Sequence, residues 1–176
     1  MGSASAWYGD PWYRPYGSGA VTYERQNMMR THGYNMDRLA EMLEGQQIFN
    51  REEAVRLARE LEAGFGDSLI RNFAPGTVVA GSRTAPWTWR DFGAFAGYAR
   101  AAEQSSAALA KALEKEPQST ETRPAAGPVP PWGRGYARGP WGRPLAVPLS
   151  MEAFQAYSRL YATCQSCHIG FRGWRR

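Results

Sequence analysis

The sequence predicts an all-α fold, an antiparallel four-helix bundle with extended, non-regular arms. Three observations predict it. Four segments repeat their apolar residues at alternating steps of three and four, the period of one helix face. Glycine or proline stands at the end of each of the first three. The fourth carries Cys164, Cys167 and His168 one turn apart, with Cys164 and His168 on its apolar stripe.

The first helix is expected from about Tyr23 to Gly45, where Met29, His32, Met36, Leu39 and Leu43 form the narrow seam of a bundle helix. The second, about Arg51 to Phe73, places Ala54, Leu57, Ala58, Leu61, Phe65 and Leu69 on one face, with Asn50 as N-cap and Pro75-Gly76 as the stop. The third, about Trp87 to Lys115, aligns Phe92, Phe95, Ala99, Ala102, Ser106, Leu109 and Leu113. Pro86 precedes its first turn, where proline is tolerated, and Pro117 ends it. The fourth starts at an N-cap, Ser150, and carries Phe154, Tyr157, Tyr161, Cys164, His168 and Phe171.

Between and before these helices lie two irregular stretches. Residues 1–22 concentrate Trp7, Tyr8, Trp12, Tyr13 and Tyr16 among glycine and proline, a composition that presents rigid aromatic surface and no amphipathic helix. Residues 117–149 contain Pro131-Trp132-Gly133-Arg134 and its near-copy Pro140-Trp141-Gly142-Arg143. Proline holds such stretches extended, and Trp and Arg are frequent interface anchors; the bland reading is a disordered linker. The chain thus divides into an arm (1–22), three bundle helices (23–116), an insertion (117–149), and the fourth helix with a basic tail (150–176).

The 176 residues, 43% hydrophobic and 21% charged, suffice for one core of ordinary size. No segment is apolar over the roughly 20 residues a membrane span requires. The net charge of +5 comes almost wholly from arginine, Lys111 and Lys115 being the only lysines, and permits steering toward an acidic partner surface. Nucleic acid is the poorer partner, because basic residues alternate with acidic ones along the helices and no nucleic-acid module is present.

Cys164-Gln165-Ser166-Cys167-His168 has the spacing of a covalent haem attachment site: two thiols add to two vinyl groups and the adjacent imidazole reaches the iron. A disulfide or a redox dithiol would use the same cysteines but needs no histidine beside them. A structural zinc site wants four ligands, and His32 is distant in sequence. One covalent haem c is the reading that uses all three residues. Because Cys164 and His168 share the inward face, the porphyrin is expected among the helices. Thioether attachment takes place outside the cytoplasm, so the expected location is periplasmic or otherwise extracytoplasmic; residues 1–22 lack a secretion signal, and one is inferred to have been removed. No serine, histidine and carboxylate pattern typical of nucleophilic hydrolysis is present, and no catalytic residue is expected.

Beyond the haem motif, Arg25-Gln26 with Met29, Met36 and Gly45, Phe73-x-Pro75-Gly76, Ala85-Pro86-x-x-Trp89 and His168-x-x-Phe171-Arg172 follow one another at telling spacings. In these residues the chain resembles the class II cytochromes c, the cytochrome c' family, over residues 23–115 and 151–174. The arm and the insertion depart from the family pattern. The resemblance implies a four-helix bundle with His168 as proximal iron ligand. It puts the distal side chain at position 29, and here that residue is Met29. A distal methionine marks low-spin members, and an apolar side chain over an open face marks five-coordinate members that admit nitric oxide.

Met29 as iron ligand and Met29 as core packing both remain open, and His32, one turn on, is the lesser candidate for a distal ligand. Arg172 and Arg25 are candidates for contact with haem propionates; a cation favoured by a helix C-terminus and a solvated charge are their respective alternatives. Trp87 and Trp89 read as packing at the start of the third helix. The expected function is electron transfer by a mono-haem c-type cytochrome, within or beside a larger redox assembly. Two alternatives are a five-coordinate gas-binding cytochrome c' and an interaction subunit whose haem is mainly structural. Expected partners are redox proteins, with a homo-oligomer or multi-subunit complex formed through residues 1–22 and 117–149.

Overall fold

A computed structural model describes residues 18–43, 46–75, 77, 82–118 and 150–173 of the chain. Most of the arm and nearly all of the insertion, with the assembly roles expected of them, lie outside the described residues. Among the described residues five α-helices form the bundle: α1 (Ser18–Leu43), α2 (Arg51–Gly64), α3 (Gly66–Asn72), α4 (Phe92–Leu113) and α5 (Met151–Phe171). With α2 and α3 as two pieces of one arm, this is the expected four-helix architecture. No helix among the described residues is long and apolar enough to cross a membrane.

The expected caps are present. Asn50 Oδ1 accepts from the Glu53 amide at 3.1 Å, and Ser150 Oγ accepts from the Ala153 amide at 3.2 Å, each satisfying a donor that has no partner inside its helix. Glu116 is buried and accepts the Ser150 amide at 3.0 Å, bringing a carboxylate to the start of α5 where the helix dipole favours it. Gln118 closes the same end, accepting from the Arg51 amide at 2.9 Å and donating to the Phe49 carbonyl at 2.8 Å.

Several boundaries differ from expectation. Helix α1 begins at Ser18, so residues 18–22 of the supposed arm are helical. The second helix is interrupted after Gly64: Phe65 is extended, and Gly66 has φ +54°, a left-handed conformation that only glycine adopts cheaply. The apolar period runs through the break, which hid it from the pattern, and Phe65 and Leu69 are buried as expected. The third helix starts at Phe92, because residues 86–89 form a tight 3-10 turn whose two indoles are held by carbonyls elsewhere. Trp87 Nε1 donates to Gly170 O at 2.7 Å and Trp89 Nε1 to Phe73 O at 3.0 Å.

The inner face of α5 is also displaced from the expected stripe. Ala153, Ala156, Tyr157, Leu160 and Phe171 are buried, while Phe154 and Tyr161 are half-exposed and His168 is exposed on the polypeptide surface. The bulky aromatics suggested one register, but the alanines, which let backbones approach, mark the side that packs on α4 in the most extensive helix pairing. Helix α4 also packs broadly on α2, and its expected stripe from Phe95 to Leu113 is buried. Helix α1 rests on α2 and, less extensively, on α3, with no comparable contact to α4 or α5. The gap this leaves at one end of the bundle is where the cysteines and His168 stand.

At Gly66 an added methyl group would demand a left-handed backbone, while the Glu103 carboxylate it would meet ends a flexible side chain that can turn aside. Gly66→Ala is expected to cost about 1–2 kcal/mol in urea unfolding, and adding Glu103→Ala should recover little of it. Equal midpoints for Gly66→Ala and the parent would contradict the interrupted helix.

Candidate functional site

The last turn of α5 sits where it does because a neighbouring segment satisfies its carbonyls. Ala85 N donates to Phe171 O at 2.8 Å, Gly173 N to Arg83 O at 2.7 Å, and Thr84 and Arg172 form a short antiparallel bridge. With the Trp87 bond to Gly170 O, this accounts for two carbonyls that a helix end leaves without intrahelical donors. Cys164 and Cys167 are unpaired and half-buried against the core.

A cavity of about 810 Å³ opens beside this turn. Cys167, His168 and Arg172 line it from α5 and the residue that caps it, and Arg25, Met29 and Arg30 line it from α1. Phe73, Phe95 and Phe171 give it an apolar wall, packed as one aromatic cluster: Phe95 lies 4.9 Å from Phe73 and 5.6 Å, edge-on, from Phe171. The cavity therefore brings Met29 and His168, contributed by helices far apart in sequence, to one space.

Adjacent methionines take different places. Met28 Sδ accepts a weak bond from Asn72 Nδ2 at 3.8 Å, while Met29 lines the cavity. His32, one turn along, is not among the lining residues. It is 7% exposed, its ring packs on Phe65 with centroids 4.3 Å apart, and Gly64 lies so close that a Cβ there would overlap Nε2. Its Nδ1 is buried without a hydrogen-bond partner. Burial, with a smaller effect of His168, pushes its pKa down to about 4.

Arg25 is not the solvated charge that its residue type allowed. It is 3% exposed, donates from Nε to Asn72 O at 2.7 Å and from Nη2 to Thr77 Oγ1, and stacks its guanidinium over Phe73 at 4.6 Å. Burial lowers its pKa to about 10, so it stays charged at neutral pH. Its Nη1 is buried and has no partner. Arg172 is exposed at the cavity mouth, and its charge, after burial, is the second cause holding the His168 pKa below the ordinary imidazole value. The neutral imidazole this favours is the form that ligates metals. Burial likewise pushes both thiols up, to about 11.

The sequence profile of the family described as cytochrome C' matches residues 20–130, which take in α2 to α4 and all but the first two residues of α1. The chain belongs to the cytochrome c' family. Solved cytochromes c' share the fold: that of Shewanella frigidimarina superposes with a TM-score of 0.64 at 17% identity, covering 93% of this chain and 99% of that one. The protein of Thermochromatium tepidum gives 0.62 at 17%, covering 92% and 100%. A ferrous variant from Alcaligenes xylosoxidans, with nitric oxide bound, gives 0.62 at 15%, covering 93% and 99%. No curated protein matches the chain.

As a cytochrome c', the chain carries one covalent haem c, and its residues fit that group. Cys164 and Cys167 present two thiols one helical turn apart, His168 an imidazole beside them, and the cavity lies within the roughly 300–1,000 Å³ of sites that enclose an organic cofactor. The unpartnered Nη1 of Arg25 is a buried donor in want of an anionic acceptor, which a carboxylate-bearing ligand supplies. Lining residues that the sequence reading did not single out include Arg30, Ser82, Arg83 and Thr84. Arg30 is off the apolar seam, and the others lie on a segment without periodicity.

The low pKa of His32 has a signed consequence. The unfolded imidazole takes up a proton below about 6.5 and the folded one only below about 4, so its contribution is complete above 6.5 and falls as pH drops through that window. The holoprotein is expected to lose about 3 kcal/mol between these limits through this residue, and His32→Leu to lose that much less of its stability over the same range. Parallel stability–pH curves for the two proteins would refute the assignment.

Proposed function

We propose that this cytochrome c' is an electron-transfer protein in which His168 and Met29 hold the haem iron from opposite sides. The observation that carries the reading is their shared cavity: α1 and α5 pack little on one another, yet each turns one metal-ligating side chain to the same space. When bound, haem c supplies a one-electron iron couple. The Met29 thioether is a soft ligand that favours the reduced metal, and an imidazole–thioether pair raises the reduction potential.

The surrounding residues support this role. The wall formed by Phe73, Phe95 and Phe171 keeps water from the cavity's inner side, which favours the less charged oxidation state. Arg25 and Arg172 bring positive charge to the edge where the haem carboxylates would be matched. His32 is turned into the space between Gly64 and Phe65, an arrangement that favours Met29 over it as distal ligand. No catalytic residue is assigned in this reading. Since thioether attachment occurs outside the cytoplasm, the protein is placed in the periplasm or an equivalent compartment.

A second reading is favoured by one specific observation, the nitric oxide held by the Alcaligenes xylosoxidans neighbour. In that reading Met29 packs over an open distal face without coordinating, and the protein binds a small gas. The ferric spectrum discriminates. Coordination by Met29 gives a low-spin protein, and Met29→Ala should convert it to high-spin with a lower reduction potential. A high-spin parent, or a Met29→Ala spectrum identical to it, would remove Met29 as ligand and favour the gas-binding reading.

A further inference from the structure

The described charges are sorted along the bundle. Around α2, the end of α4 and the start of α5, cations are matched by carboxylates: Arg38 with Glu53 at 3.1 Å, Arg59 with Glu62 and Glu114 at 2.9 Å each, and Lys115 with Glu152 at 2.9 Å. At the cavity the balance differs. Arg25, Arg30, Arg83 and Arg172 line it, and no carboxylate is among the lining residues. None of the four belongs to an ion pair among the described residues, where the remaining pairs are Arg38–Glu41, Arg56–Glu60 and Arg100–Asp67. A haem brings two propionates, so the mouth keeps a cationic excess once they are matched. Arg90, exposed, caps the 3-10 turn three residues after Trp87, with exposed Asp91 beside it, and Glu24 stands exposed next to Arg25 on α1.

Two large apolar side chains share this surface, Trp87 at 44% and Ile169 at 71% exposure. Either one singly would be ordinary. Here the Trp87 indole is pinned to the carbonyl of Gly170, the residue after Ile169, which brings the indole to the turn that carries Ile169, and Arg90 N donates to Trp87 O at 3.0 Å. Arg83 and Arg172 are joined to the same region by the backbone bonds around Thr84. A tryptophan held by a hydrogen bond to the last turn of α5, the turn that carries Cys167 and His168, and set near arginines has the composition of an interface anchor. It loses little side-chain entropy on binding.

We propose that this face, Trp87 and Ile169 rimmed by Arg83, Arg90 and Arg172, docks a redox protein whose own cofactor edge is ringed by carboxylates. It rests on the electron-transfer reading for what is exchanged; charge and the apolar centre define where and with what chemistry. Complementary charge steers encounter and aligns the cofactors, and the pinned tryptophan supplies the short-range contact.

The test uses the full-length holoprotein with poly-L-glutamate as carboxylate probe, followed by 15N NMR at about 10 mM salt, where screening is weak. The Trp87 indole and the amides of residues 169–173 should shift, and the shifts should vanish at about 0.5 M salt. Arg83→Glu with Arg90→Glu should weaken binding about 10-fold or more, against less than about two-fold for Lys111→Glu at the opposite end of α4. Oxidation by ferricyanide should slow with salt and with the same double variant. Shifts confined to the ion-paired end, an equal loss for Lys111→Glu, or binding to phosphatidylserine vesicles with poly-glutamate inert would overturn the docking surface. Rapid electron exchange with no preference for the arginine face rejects this surface alone. Slow exchange at every salt concentration rejects the electron-transfer reading, and the docking proposal with it.

Discussion

Everything at the cavity depends on how the end of α5 is held. A helix that stops in the open leaves carbonyls to water and its last turn free to fray. Here the segment from Arg83 to Trp87 is laid across that end, and the backbone of Ala85 and the indole of Trp87 take up the carbonyls of Phe171 and Gly170. Because Cys167 and His168 occupy the same turn, these bonds fix the direction in which they project. The 3-10 turn that Pro86 initiates shapes the far wall through Trp89, which reaches the carbonyl of Phe73 beside Arg25. One short loop thus couples three helices around the haem-binding residues.

Much of this was legible in the residues. The three-four spacing identified the helices, and Asn50 and Ser150 marked two of their starts, because caps act locally and leave a local signature, while Pro86 opens a 3-10 turn ahead of α4. The cysteine–histidine motif is similarly self-contained. What escaped the pattern involves partners distant in the chain. The break at Gly66 keeps the apolar period intact on both sides, so periodicity carries no trace of it. On α5 the aromatic residues were the loudest signal, yet Ala153 and Ala156 decide the inner face, because close helix approach rewards small side chains.

Arg25 illustrates the same limit. An arginine on an amphipathic helix ordinarily reaches solvent, and nothing in its neighbours along the chain says otherwise. It is buried because Asn72, Thr77, Phe73 and Trp89, all from later elements, converge on it. Such a group is stable in its charged form only if its donors find acceptors. The remaining Nη1 makes the polypeptide alone an incomplete structure at this point.

The lopsided packing of α1 has its own consequence. Helix α4 has the broad contacts with α2 and α5, while α1 packs mainly on α2 and less on α3 among the described residues. Regions with fewer buried contacts open at lower free energy than the global transition. Amide protons along the first half of α1 should accordingly exchange with solvent well before those of α4. The wall bearing Met29 has the fewest polypeptide contacts, so in the proposed reading a Met29–iron bond would tether the helix that the core holds least.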